Sequence, residues 1–116
     1  MSQFARLKTL VGTGDSLPVL EQVATPRLRD GYNVYTVTGT TAITGLSTEI
    51  PIRPGRQVTL IGTHATGPAI TDTAIGSAVE GTISLSAALT LASGSVVTLI
   101  QNNEGAWLEM SRAANS

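Results

Sequence analysis

General acid–base chemistry in this chain would have to start from His64, the only histidine in its 116 residues. An imidazole needs help to act, either a carboxylate that orients it or further ligands that share a metal ion. No acid lies close to His64 in sequence and the chain holds no cysteine, so His64 reads as a loop histidine. Asp15, Asp30, Asp72 and Glu80 invite a paired-carboxylate reading. Each falls at a turn or loop, where a carboxylate accepts hydrogen bonds from local amides. Gly12-Thr13-Gly14-Asp15-Ser16 has glycines suited to cradling phosphate, but it lacks the lysine of G-x-x-x-x-G-K-S/T and no strong strand leads into it. Ser84, Ser86 and Ser95 stand in strand-like sequence with no base in view, so none is supported as a nucleophile. The expectation is a protein that is not an enzyme and takes no cofactor or metal.

The elements that would position these residues are plainer. Residues 50–63 read IPIRPGRQVTLIGT and residues 89–102 read LTLASGSVVTLIQN. Ile50 falls on Leu89, Ile52 on Leu91, Gly55 on Gly94, and Val58-Thr59-Leu60-Ile61 on Val97-Thr98-Leu99-Ile100. Each copy is a short alternation, a glycine turn and a dense β-branched run, the pattern of a hairpin. Strands are expected at 32–37, 41–46, 49–52, 57–63, 82–85, 88–91, 95–101 and 106–111. Turn signals separate most of them, at Thr38-Gly39, Pro54-Gly55, Ser93-Gly94 and Asn102-Asn103-Glu104-Gly105. Pro51 lacks an amide hydrogen, which makes its strand an edge or a bulge. Residues 64–78 read as a surface loop. The fold class is all-β: a small β-sandwich or barrel-like module over 32–116, built from two related hairpin units and preceded by an extended N-terminal arm over 1–31.

Composition points to a protein that packs against others. Apolar residues make up 41% of the chain but aromatics only 3%, so the core must be aliphatic and thin. Charged residues are 13%, about half the usual share, and the net charge is −1. Scattered basic residues give no electrostatic footprint for nucleic acid. No apolar run is long enough to cross a membrane as a helix. The N-terminus has no sustained apolar stretch of the kind that directs secretion, so synthesis in the cytoplasm is expected. The arm concentrates Arg6, Lys8, Arg27 and Arg29. Leu7, Leu10, Val11, Leu17, Val19, Leu20, Val23 and Leu28 make it too apolar for a solvated tail. Ser16 could cap a short helix running to Val23. The whole arm reads as a segment that orders on a partner surface.

Between about Gly39 and Arg112, two thirds of the chain, a further likeness runs through the motifs in order. These are Ile43-Thr44, Pro54-Gly55-Arg56 leading into Val58–Ile61, Ile83-Ser84-Leu85, Gly94 leading into Val97–Ile100, and the closing Gly105-x-Trp107-Leu108-Glu109-Met110-Ser111-Arg112. In this the chain resembles a β module recurring in structural proteins of tailed bacteriophages. The resemblance implies a homotrimer found in tail fibres, head fibres or capsid decoration proteins. A module standing behind an adhesive arm looks most like a decoration (cement) protein on the capsid surface of the virion. Its partner would be the major capsid protein, with no nucleic acid and no membrane involved. Arg6, Leu7, Lys8, Leu10, Leu17, Leu20, Arg27 and Arg29 would then contact the capsid. Arg56 would either pair across the trimer axis with Glu49 or Glu109, or sit solvated at its turn. Trp107 would anchor the core or the trimer interface, with sugar stacking a secondary role. The alternative implied is a tail or head-fibre receptor-binding protein whose loops at 64–78 and 102–105 contact a host glycan or protein.

Overall fold

Two runs of alternating residues, Gln57–Gly62 and Val96–Gln101, bury every second side chain and so form the long central strands of the fold. The computed structural model describes residues 17–48, 52–72 and 80–113. Along the chain these contain β1 (Arg27–Leu28), β2 (Val34–Val37), β3 (Ser47–Thr48), β4 (Gln57–Gly62), β5 (Ala69–Ile70), β6 (Ile83–Ser84), β7 (Leu89–Thr90), β8 (Val96–Gln101) and β9 (Trp107–Ala113). There is no helix among the described residues, and the all-β class expected from the sequence is what the chain adopts. A five-stranded mixed sheet runs in the order β2-β4-β8-β9-β6, accompanied by the two-stranded ladders β1-β3 and β5-β7.

The duplication is visible in the hydrogen bonding. β4 and β8 pair antiparallel with Thr59 opposite Thr98, its counterpart in the other copy. A local two-fold axis therefore passes between these residues, whose hydroxyls are bonded at 3.0 Å. The surrounding backbone bonds come in matched sets. Gly55 N donates to Gln101 O at 2.7 Å as Gly94 N donates to Gly62 O at 3.1 Å. Gln101 N donates to Arg56 O at 2.8 Å as Gly62 N donates to Ser95 O at 2.9 Å. Gly55 and Gly94 take φ of 92° and 87°, the left-handed conformation their turns require.

The copies thus meet each other through their long strands, where hairpins within each copy were expected. The reason is length. Val58–Ile61 and Val97–Ile100 match each other over a full ladder, whereas the short segment at Leu89–Thr90 pairs instead with Ala69–Ile70. The loop expected over 64–78 accordingly contains β5, and the strand expected over 41–46 shrinks to a single bridge between Ile43 and Ile70. The strand at 49–52 lies largely outside the described residues.

Residues 17–31 also differ from expectation. No helix forms up to Val23. Val19 bridges to Thr36 in parallel, with Leu20 N donating to Thr36 O at 2.9 Å and Thr36 N to Pro18 O at 3.0 Å. This extends the sheet beyond β2, and Pro18, which has no amide hydrogen, suits that outer position. Leu20 and Leu28 are buried at 2% and 0% exposure in the same core as Tyr35, Val58, Leu60, Ile83, Leu99 and Trp107. The second half of the expected arm is therefore part of the module. Its leucines find burial at home, each contributing roughly 1.5–3 kcal/mol, and have no need of a partner surface.

Candidate functional site

The polar side chains of this fold gather at its loops and fasten them. Arg56 leaves the turn that opens β4 and reaches the loop before β2. Its Nε donates to Asn33 Oδ1 at 3.1 Å, and its Nη2 donates to the carbonyls of Arg29 at 3.0 Å and Tyr32 at 3.1 Å. Tyr35, rising from the core, accepts from Arg29 N at 2.8 Å, and the Arg29 guanidinium lies 5.5 Å from the Tyr32 ring centre. Beside this knot is an open cleft of about 340 Å³ lined by Asp30, Gly31, Asn33, Arg53, Pro54 and Arg56. Within its own chain Arg56 is thus tied down rather than left solvated. Asn33 and two backbone carbonyls hold its Nε and Nη2, its Nη1 is buried without a hydrogen-bond partner, and Glu49 lies outside the described residues.

A second fastening holds the loop after β6. Glu109 Oε1 accepts from Ser86 N at 2.9 Å and from Ser86 Oγ at 3.0 Å. Arg112 forms an ion pair with Glu109 at 2.6 Å and donates to the carbonyls of Ala87 at 2.8 Å and Ala88 at 3.1 Å. The Arg112 guanidinium is the main reason the Glu109 carboxyl falls from 4.5 to about 2, against the opposing cost of burial and with help from Ser86. Residues three apart on a regular strand face opposite ways. Here a bulge opposite Thr98/Leu99 adds one residue to β9 and brings Glu109 and Arg112 to the same side.

His64 uses Nδ1 to accept from Thr66 N at 3.1 Å and Gly67 N at 3.3 Å, closing its own turn. Asn102 Oδ1 does the same between β8 and β9, accepting from Glu104 N at 3.0 Å and Ala106 N at 2.9 Å. Trp107 is fully buried at 0% exposure, which makes it a core anchor of the single chain and removes it from sugar stacking. Of the expected capsid-contact residues, Arg6, Leu7, Lys8 and Leu10 lie outside the described residues. Leu17 is half-buried, Leu20 is in the core, and Arg27 and Arg29 are exposed.

The remaining feature is a surface. On β2, β4, β8 and β9 the side chains opposite the core fall in rows set by the strand register. Val19, Thr36, Ile61, Val96 and Ala113 form one row; Val34, Thr59, Thr98 and Ser111 the next; Gln57, Ile100 and Leu108 the third. None of these residues carries a charge. Val34, Thr36, Thr59, Ile61, Val96, Thr98 and Ile100 are half-buried, while Val19 at 58% and Leu108 at 37% are exposed. The strand order that sets them side by side was not legible in the sequence.

No family model matches the chain, and neither a curated protein nor a solved structure matches it.

Proposed function

We propose that this chain is a structural protein of a phage virion, a homotrimeric capsid decoration protein that attaches to the major capsid protein through its N-terminal segment. One observation carries the reading most directly. The polar side chains of Arg56, His64, Asn102, Glu109 and Arg112 are spent on tying the protein's own loops. Loops fastened in this way suit a part that is held in place and holds others. The bacteriophage resemblance of the residues from Gly39 to Arg112 supplies the setting.

The attachment arm is narrowed to residues 1–16, because Leu20 and Leu28 already serve the core. That segment carries Phe4, Leu7, Leu10 and Val11 with Arg6 and Lys8, a mixture suited to an apolar groove bordered by carboxylates. Ordering it costs about 1–2 kcal/mol per residue, so its apolar side chains must be buried on the shell to offset that cost. Three arms on one trimer raise avidity by about 10²–10⁴ over a single arm.

Co-sedimentation with assembled shells lacking the protein tests this. The full chain is expected to pellet with the shells, and a chain without residues 1–16 to remain in the supernatant while keeping its β circular dichroism. Equal binding of the shortened chain would refute attachment through the arm.

A further inference from the structure

We infer that the uncharged outer face of the five-stranded sheet is where copies of this chain meet. The inference rests on the homo-oligomeric part of the proposed function and names the surface responsible. Strands of six residues spaced about 4.8 Å apart make this face roughly 20 by 20 Å, with Val19, Val34, Ile61, Val96, Ile100 and Leu108 set among threonines.

Charge decides what covers it. Among the described residues the exposed ionisable groups Glu21, Arg27, Arg29, Asp30, Arg53, Glu80 and Glu104 occupy none of the row positions and fall in loops, turns or the β1-β3 ladder. The face offers a charged partner nothing to pair with. It also suits the chain's own first residues poorly, since Arg6 and Lys8 would be laid on a surface without a carboxylate. A second copy brings the same uncharged side chains, and a net charge of −1 per chain raises no barrier to association.

The duplication supplies the geometry. The local two-fold between Thr59 and Thr98 divides the face into two like halves, with Ile61 and Ile100 at equivalent places. In a closed ring each copy must mate with two neighbours through two different patches. Here the two patches are near-copies of one another. One half, centred on Ile61, meets the Ile100 half of the next copy, and apolar β-branched surface is buried on both sides.

Sedimentation velocity on the full chain, with substitutions on this face, tests the inference. The natural chain should associate at micromolar concentration. Ile61→Lys and Thr98→Glu, whose new charges a monomer can leave in water, should weaken association about 100-fold or more while circular dichroism is retained. The exposed loop change Arg53→Glu should leave it unaltered. Because the chain has no cysteine, Thr98→Cys carrying a nitroxide gives an independent reading through dipolar coupling between copies, even where a charged variant fails to fold. Association of the natural chain that survives both charges, or shows no coupling at residue 98, overturns this face while leaving an oligomer intact. A natural chain that stays monomeric overturns the face and the oligomeric reading together.

Discussion

The two sides of the same strands tell opposite stories. On β4 and β8 the inward side chains of Val58, Leu60, Val97 and Leu99 are at 0% exposure, closed over by Leu20, Leu28, Ile43, Leu46 and Leu91 of the surrounding segments. One residue away along each strand, Thr59, Ile61, Val96, Thr98 and Ile100 are only half-buried, flanked in their rows by Val34, Thr36, Leu108, Ser111 and Ala113. The chain closes one face with its own residues, while the other is the uncharged surface on which the proposed association rests. Composition had suggested a core too thin for one chain. The inner face shows how few aromatics suffice when a single tryptophan and a tyrosine are fully used.

Changes on the inner side should therefore be costly to folding, and changes on the outer side cheap. The largest effect is expected at Trp107. Trp107→Ala should lower unfolding stability by about 3–5 kcal/mol in urea titrations, since the ring is wholly enclosed. A small loss would mean the inner face is less closed than described. Gly62→Ala comes next. A methyl group there would run into the backbone carbonyls of Leu91 and Ala92, and about 1–3 kcal/mol is expected from the forced shift.

The loop fastenings should fall in a similar or slightly smaller range. Glu109→Gln should cost about 1.5–3 kcal/mol at neutral pH, because it removes charge-assisted bonds to Arg112 and weakens those from Ser86. The pH dependence has a definite sign. The Glu109 carboxyl is depressed to about 2 from 4.5, so its contribution is complete above about pH 4.5 and disappears as the pH falls towards 2. Urea midpoints of the natural chain and Glu109→Gln should converge over that interval. A constant gap would locate the effect elsewhere.

The smallest effects belong to the outer face. Thr59→Val or Thr98→Val alone breaks the 3.0 Å hydroxyl bond at the two-fold and should cost about 1 kcal/mol. The double change removes both partners and should cost no more than either, a coupling that a double-mutant cycle reads directly. Additive losses would show that the two hydroxyls act separately.

These residues also show how far a sequence can be read. The long strands and their glycine turns were legible because the β-branched runs and the turn residues between them are local signals. Pairing was not, because which strand lies beside which depends on length matching between distant segments, and Leu89–Thr90 finds Ala69–Ile70. The apolar character of Leu20 and Leu28 was plain, but hydrophobicity alone does not say whether a leucine is buried in its own chain or on a partner. Arg56 and Glu109 were singled out, but the bonds they make within the chain were not foreseen. Part of their tethering runs to backbone carbonyls and amides, which leave no mark in a sequence. The bulge that brings Glu109 to Arg112 is equally silent.

Copy number is the most direct test of the central proposal, that this chain decorates a capsid. On that proposal, quantitative mass spectrometry of purified virions should find the chain in a simple ratio to the major capsid protein. A handful of copies would assign it to the tail and to host recognition. Its absence from the particles would contradict the virion role altogether.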